Sequence, residues 1–162
     1  MSIEKLPSIA LSIRQPWAWV IIAGHKNVEN RSRFAVSKGR IECRQIAVHA
    51  AKGMTKAEYE SAADFMHRLD VKCPLPDLLV RGAIIGTVVV TRVVKKYSSP
   101  WFFGPCGLIL ENAVSIKPIP ATGALGYFEW RESGALAEPL PWMLAWPPKG
   151  KQKQPDLLEA VK

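Results

Sequence analysis

Residues Gly82 to Val94 read GAIIGTVVVTRVV, and this run limits the fold more than any other stretch of the chain. It is shorter than the ~20 apolar residues that a helix needs to span a bilayer. It is rich in Ile, Val and Thr, whose branched Cβ atoms suit a pleated surface and crowd a helix. The run therefore predicts one long strand, buried on both faces in its middle. Gly86 sits inside it, and a glycine within a strand permits the bend or bulge that curls a sheet toward a barrel.

The other elements follow from local signals. Ile9 to Ile13 (IALSI) is a short apolar strand. Pro16 then presets the first turn of a short helix over Trp17 to Ala23, with Trp17, Val20 and Ile21 on one side and Gly24 suited to the left-handed position beyond its end. Asn27 to Arg31 is read as a second strand, Ser32 to Gly39 as a basic loop, and Arg40 to Ala50 as a third strand finishing near His49. Thr55-Lys56-Ala57-Glu58 has the form of a capping box, and the apolar positions after it recur at helical spacing, which predicts a helix over about 55–69. Lys95 to Gly107 is an aromatic-rich loop that plugs one end of the fold or stacks on bases. Leu108 to Val114 and a stretch from Tyr127 to Trp130 complete about six strands. Pro139 to Trp146 reads as an arm that packs Leu140, Trp142 and Leu144 onto the body. The expectation is a mostly β, α+β fold: one domain over 8–146 with two main helices, and a flexible basic tail over 147–162.

At 162 residues the chain is long enough to bury a core without staples. Its net charge is +8, and residues 1–52 hold nine basic side chains against three acidic ones. A basic first third points to an anionic partner, most simply nucleic acid, or to a generically basic protein. Cys43, Cys73 and Cys106 are odd in number and widely spaced, which favours reduced thiols over a disulfide framework or a zinc site. Residues Met1 to Ser8 carry no apolar signal core. The chain is expected to be soluble and cytoplasmic, a monomer or homodimer, with no membrane association and no cofactor or metal.

Candidate chemistry gathers in two places. In Gly24-His25-Lys26-Asn27-Val28-Glu29-Asn30-Arg31, period-two alternation puts Glu29 and Arg31 on one strand face, and Lys26 leans over the same spot from the turn. A carboxylate between two cations stays ionised and can orient a lysine for acid–base chemistry. The plainer reading is a surface ion-pair cluster. The second place is His49-Ala50-Ala51-Lys52-Gly53, where a strand end carries a histidine and a lysine before a glycine. His49 is the natural alternative acid–base group, or else a hydrogen-bonded core histidine. Lys52 lines a ligand site or is a solvated loop charge. Arg14 and Gln15, at the entry of the first helix, and Trp17 are further candidates for contacting a ligand.

These stretches resemble the ASCH family, a branch of the PUA-like β-barrels. The resemblance covers roughly Ile9 to Trp130 and rests on ordered motifs: Leu11-Ser12-Ile13-Arg14-Gln15-Pro16-Trp17; G-x-K-x-x-E-x-R as Gly24, Lys26, Glu29 and Arg31; Val48-His49-Ala50-Ala51-Lys52-Gly53; Phe103-Gly104-Pro105-Cys106-Gly107; and Gly123-Ala124-Leu125-Gly126. It looks closest to bacterial and phage-like members with little beyond the domain. The resemblance implies a PUA-like small β-barrel with a cleft beside the signature lysine and glutamate, and an action on RNA or nucleotides. It also implies hydrolytic alternatives, deacetylation of acetylated cytidine or cleavage of single-stranded RNA. In the amidohydrolase branch the catalytic set is a lysine, a threonine and a more distant glutamate. Lys26 matches the lysine, Glu29 stands where the threonine falls, and Glu58 and Glu60 are candidates for the glutamate on position alone.

The first functional expectation is thus a module that binds RNA, a nucleotide or a modified base. Lys26, Glu29 and His49 are its candidate catalytic groups, and Arg14, Gln15, Trp17, Arg31 and Lys52 its candidate ligand contacts. A hydrolase in the same pocket is the second. A protein-interaction module, using tryptophans of the arm Pro139 to Trp146, is the third.

Overall fold

The long β-branched run forms β4 (Ala83–Val94), and the sheet is built around it. A computed structural model describes residues 3–38 and 41–147. The other strands are β1 (Ile9–Ile13), β2 (Val28–Arg31), β3 (Gln45–Ala50), β5 (Cys106–Pro120) and β6 (Tyr127–Glu129). They form one curled sheet in the order β2-β5-β4-β3-β1-β6, a half-barrel with β2 and β6 at its edges. Every pairing is antiparallel except β1 with β3. The expected six-stranded α+β architecture is the one observed, with four α-helices among the described residues where two main ones were expected.

Bulges supply the curl. The β3–β4 register shifts between Val48 and His49, where Val48 pairs with Gly86 and His49 with Ile84, leaving Ile85 extra. Three further shifts run along β4–β5. Gly86 is required by close approach: a Cβ there would lie 2.4 Å from the Val114 carbonyl oxygen and 2.7 Å from Ile22 Cδ1. The bend that the sequence assigns to this glycine is where helix α1 (Trp17–Ile22) comes down on the sheet.

One face of the sheet offers Leu11, Ile13, Ile46, Val48, Val88 and Leu108 to Ala18 and Ile21 of α1, and this is the main core. Gly24 ends α1 at φ +86°, the left-handed conformation for which a glycine is suited. Helix α3 (Lys56–Arg68) starts at the expected capping box: Thr55 Oγ1 accepts the Glu58 amide at 3.1 Å, and Glu58 Oε2 accepts the Thr55 amide at 2.7 Å. Its Met66 packs with Val20, Val28, Trp101 and Ile109. The aromatic loop closes this end, with Trp101 buried and edge-on to Phe65 at 5.4 Å between centroids.

Four local readings are corrected. The basic loop over 32–39 contains helix α2 (Arg33–Lys38), begun by Ser32 Oγ accepting the Ala35 amide at 3.0 Å. That helix buries no residue, so it has no apolar stripe by which periodicity would reveal it. β3 starts at Gln45, later than Arg40, because its pairing with β4 begins at Gln45 opposite Val89. The run Leu108 to Val114 and the segment Ile116 to Pro120 are one strand, β5, whose alternation the bulges break. In the arm, helix α4 (Pro141–Leu144) buries Met143, while Trp142 and Trp146 pack near it; Leu140 and Leu144 are exposed. Trp146 meets Tyr59 edge-on at 5.2 Å.

All three cysteines are free thiols. Among the described residues no helix is long and apolar enough to cross a membrane. The tail expected over 147–162 lies, apart from Pro147, outside the described residues.

Candidate ligand-binding site

The parallel pairing of β1 and β3 sets Ser12 directly opposite His49. Alternation sends Leu11, Ile13, Val48 and Ala50 into the main core, and Ser12 and His49 to the other face. There the Ser12 hydroxyl lies 2.9 Å from His49 Nδ1, and His49 Nε2 lies 2.8 Å from the Ala121 carbonyl oxygen. A carbonyl only accepts, so Nε2 carries the proton, Nδ1 is the acceptor, and Ser12 donates to it. Phe128 meets the imidazole edge-on at 5.9 Å. His49 is thus a buried, fully hydrogen-bonded histidine, and burial lowers its pKa from the ordinary 6.5.

That shift has a sign. With the folded value depressed, the unfolded chain takes up a proton below its pKa of about 6.5 that the native state refuses. The contribution of His49 to stability is therefore present above that pH and is lost as pH falls toward the folded value. Thermal midpoints measured between about pH 7.5 and pH 5 are expected to fall with acidification. A His49→Gln variant is expected to show a flatter dependence over the same window.

A cavity of about 640 Å³ opens beside this pair. Ser12 and His49 form its floor, Ala51 and Lys52 one wall, and the loop from Ala121 to Leu125 another, with Ser133 to Ala135 closing it. Gly123 lies against the floor: a Cβ there would be 2.7 Å from His49 Cε1 and 3.0 Å from Ser12 Oγ. The Thr122 amide donates to Ser133 Oγ at 3.2 Å, which ties two walls together. Arg81 ties the Lys52 wall to the segment that follows Ala135. It is 3 % exposed, its Nη1 donates to the Lys52 carbonyl, and its Nη2 donates to the Glu138 carbonyl at 2.6 Å. Among the described residues no carboxylate lines the cavity, and Lys52 is exposed at its rim. Leu125, on the covering loop, is 98 % exposed.

The signature residues lie elsewhere. Lys26 is 4 % exposed; its ammonium donates to Glu29 Oε2 at 2.8 Å and to the Val28 carbonyl at 2.5 Å, and lies 5.9 Å from the Trp17 ring centroid. Arg31 is half-buried, pairs with no carboxylate among the described residues, and its Nε is buried with no described acceptor. The three-charge cluster is therefore a buried lysine paired with a partly buried glutamate, plus a separate arginine. Strands β5 and β4 stand between β2 and His49 on β3.

Gln15 is buried, accepting the Trp19 amide at 2.9 Å and donating to the Val80 carbonyl at 2.7 Å, so it anchors α1. Trp17 packs on Phe65 at 6.1 Å. Arg14 holds Glu58 at 2.7 Å on the surface, and that contact, with the Thr55 amide, lowers the Glu58 pKa. Of the eight sequence candidates the cavity brings together His49 and Lys52. It adds Ser12, Thr122, Gly123 and Ser133. Ser12 left a trace in the sequence, as the one polar residue in IALSI, and Gly123 left another in the GALG motif.

A family model described as ASCH domain matches residues 11–102. The matched part contains Ser12, His49 and Lys52, while the wall over 121–135 follows it. Among solved structures, the chain is similar to ASCH from Zymomonas mobilis at 16 % identity, with a TM-score of 0.41, over 69 % of this chain and 72 % of that one. Two single-substitution mutants of that protein are also similar. One has 16 % identity and a TM-score of 0.41, over 69 % of this chain and 74 % of the other. The second has 18 % identity and a TM-score of 0.37, over 69 % and 72 %. No curated protein matches the chain.

Proposed function

The chain belongs to the ASCH domain family, and from that premise we propose that it binds a nucleotide, or an unpaired nucleotide of RNA, in the cavity beside His49. The observation that carries this reading is the cavity's lining: the hydroxyl residues Ser12, Thr122 and Ser133, His49 and one rim lysine set among small apolar residues, with no carboxylate among the described residues. Such a lining favours an anionic, acceptor-rich ligand, and its volume lies within the ~300–1,000 Å³ range of small-molecule sites. Lys52 contributes the phosphate contact. Ser12, Thr122 and the loop backbone hydrogen-bond a base or sugar. The exposed Leu125 packs on the base from above, which gives this fully solvated apolar side chain a role. The basic first third of the chain adds long-range attraction for a polyanion.

In this reading Lys26 and Glu29 support the half-barrel and do not touch the ligand. The test is fluorescence anisotropy with a labelled single-stranded oligouridylate, competed by nucleoside monophosphates. Lys52→Ala is expected to weaken binding about fivefold, as loss of roughly 1 kcal/mol requires. It should also make the slope of log K against log salt shallower by about one contact's worth. Binding at low salt that Lys52→Ala leaves untouched would move the ligand to another surface.

A further inference from the structure

We propose that Ser12 is a nucleophile and His49 its general base, and that the cavity transfers a small acyl group from its substrate to water. This rests on the reading of that cavity as a ligand site, and it uses neither Lys26 nor Glu29. The geometry has the three parts that an activated hydroxyl requires. The hydroxyl is 2.9 Å from a ring nitrogen. That nitrogen is unprotonated, because the ring's proton sits on Nε2, which donates to the Ala121 carbonyl at 2.8 Å. The carbonyl is the third part. It fixes the tautomer and ring plane, and its bond strengthens when the imidazole becomes cationic, as a carboxylate does in a serine–histidine–aspartate site.

The surroundings agree. Burial disfavours the imidazolium, so the base is present in its free form near neutral pH. Ser12 is half-buried and opens on the cavity. Gly123 and Ala124 line the adjacent wall, and their amides donate to no acceptor among the described residues. Amides of that kind are suited to the negative charge that develops on an acyl oxygen. Among the described residues no carboxylate lines the cavity to oppose it.

The reaction balances with water as the only co-reactant. Ser12 Oγ attacks the acyl carbon and passes its proton to His49 Nδ1. The bond to the leaving oxygen or nitrogen breaks, and that atom takes the proton from Nδ1. Water then gives a proton to Nδ1 and attacks the acyl-serine. The carboxylic acid leaves, and the proton on Nδ1 returns to Ser12.

The experiment incubates the full chain with 4-nitrophenyl acetate. It follows nitrophenolate release, then maps the acetyl group by peptide mass spectrometry. The expected result is a burst of product with one acetyl group on Ser12. Ser12→Ala should show no such adduct, and His49→Gln should acylate more slowly by on the order of 100-fold. The wild-type acylation rate should rise with pH through an apparent pKa below the ordinary histidine value. Because mapping on the wild-type chain does not depend on a variant folding, acetyl groups found only on lysines would overturn the proposal. So would a wild-type rate equal to that of a folded Ser12→Ala. Nucleotide binding is measured in parallel by calorimetry with uridine monophosphate. Binding without Ser12 acylation removes the nucleophile and leaves the binding reading standing. Acylation without nucleotide binding keeps the nucleophile and removes the nucleotide.

Discussion

Lys26→Met is expected to lower the unfolding free energy by about 3 kcal/mol, because it leaves a largely buried carboxylate without its cation. The Lys26 side chain is 3 % exposed and the Glu29 side chain 13 %. Two acceptors hold the ammonium, at 2.8 Å and 2.5 Å. Methionine fills similar volume, so the loss reports the orphaned charge and the unsatisfied Val28 carbonyl rather than a cavity. The paired variant Lys26→Met/Glu29→Leu removes both charges together and should recover most of the loss. Urea denaturation of the two variants checks this. A loss under about 1 kcal/mol for Lys26→Met would mark the pair as solvated, of the surface kind. If the ligand sits beside His49, nucleotide binding by the folded fraction should be unchanged in both variants. That separates a supporting pair from a catalytic one.

Gly123→Ala is the second large effect, expected in binding more than in stability. The added methyl would stand 2.7 Å from His49 Cε1 and 2.9 Å from Nδ1, closer than carbon packs. The imidazole cannot give way freely, since both nitrogens are held. The strain is expected to part Ser12 from His49 and narrow the cavity floor. Oligouridylate affinity should fall at least about tenfold, or 1.4 kcal/mol. The stability cost should stay within the ~1–3 kcal/mol of an overpacked site. The imidazole proton resonances, followed by NMR, report the same displacement independently. Unchanged affinity in a folded Gly123→Ala protein would mean that the ligand does not reach the cavity floor.

Several elements could be read from the chain alone because their causes are local. Branched side chains along Gly82 to Val94 favour a strand by their own sterics. Thr55 and Glu58 cap a helix with their own backbone. Gly24 ends α1 because few other residues tolerate its conformation. The ordered motifs likewise identify the family, since each motif is contiguous. Helix α2 escaped because it buries nothing, and β5 read as two segments because its bulges break the period.

The candidate site divides along the same line. Lys26 and Glu29 are three residues apart, and their pairing was legible as sequence. That Arg31 stands apart from them, and that Lys26 is buried, depends on what packs over β2. Ser12 and His49 are thirty-seven positions apart, and the parallel register of β1 with β3 makes them neighbours. Gly123 and Ala121 come from a loop still further along the chain. Local chemistry therefore determined the elements and the residue types available, whereas the strand order and register decided which of those residues meet. Neither is encoded in any single stretch, because side chains on different strands become neighbours only when the whole sheet has formed.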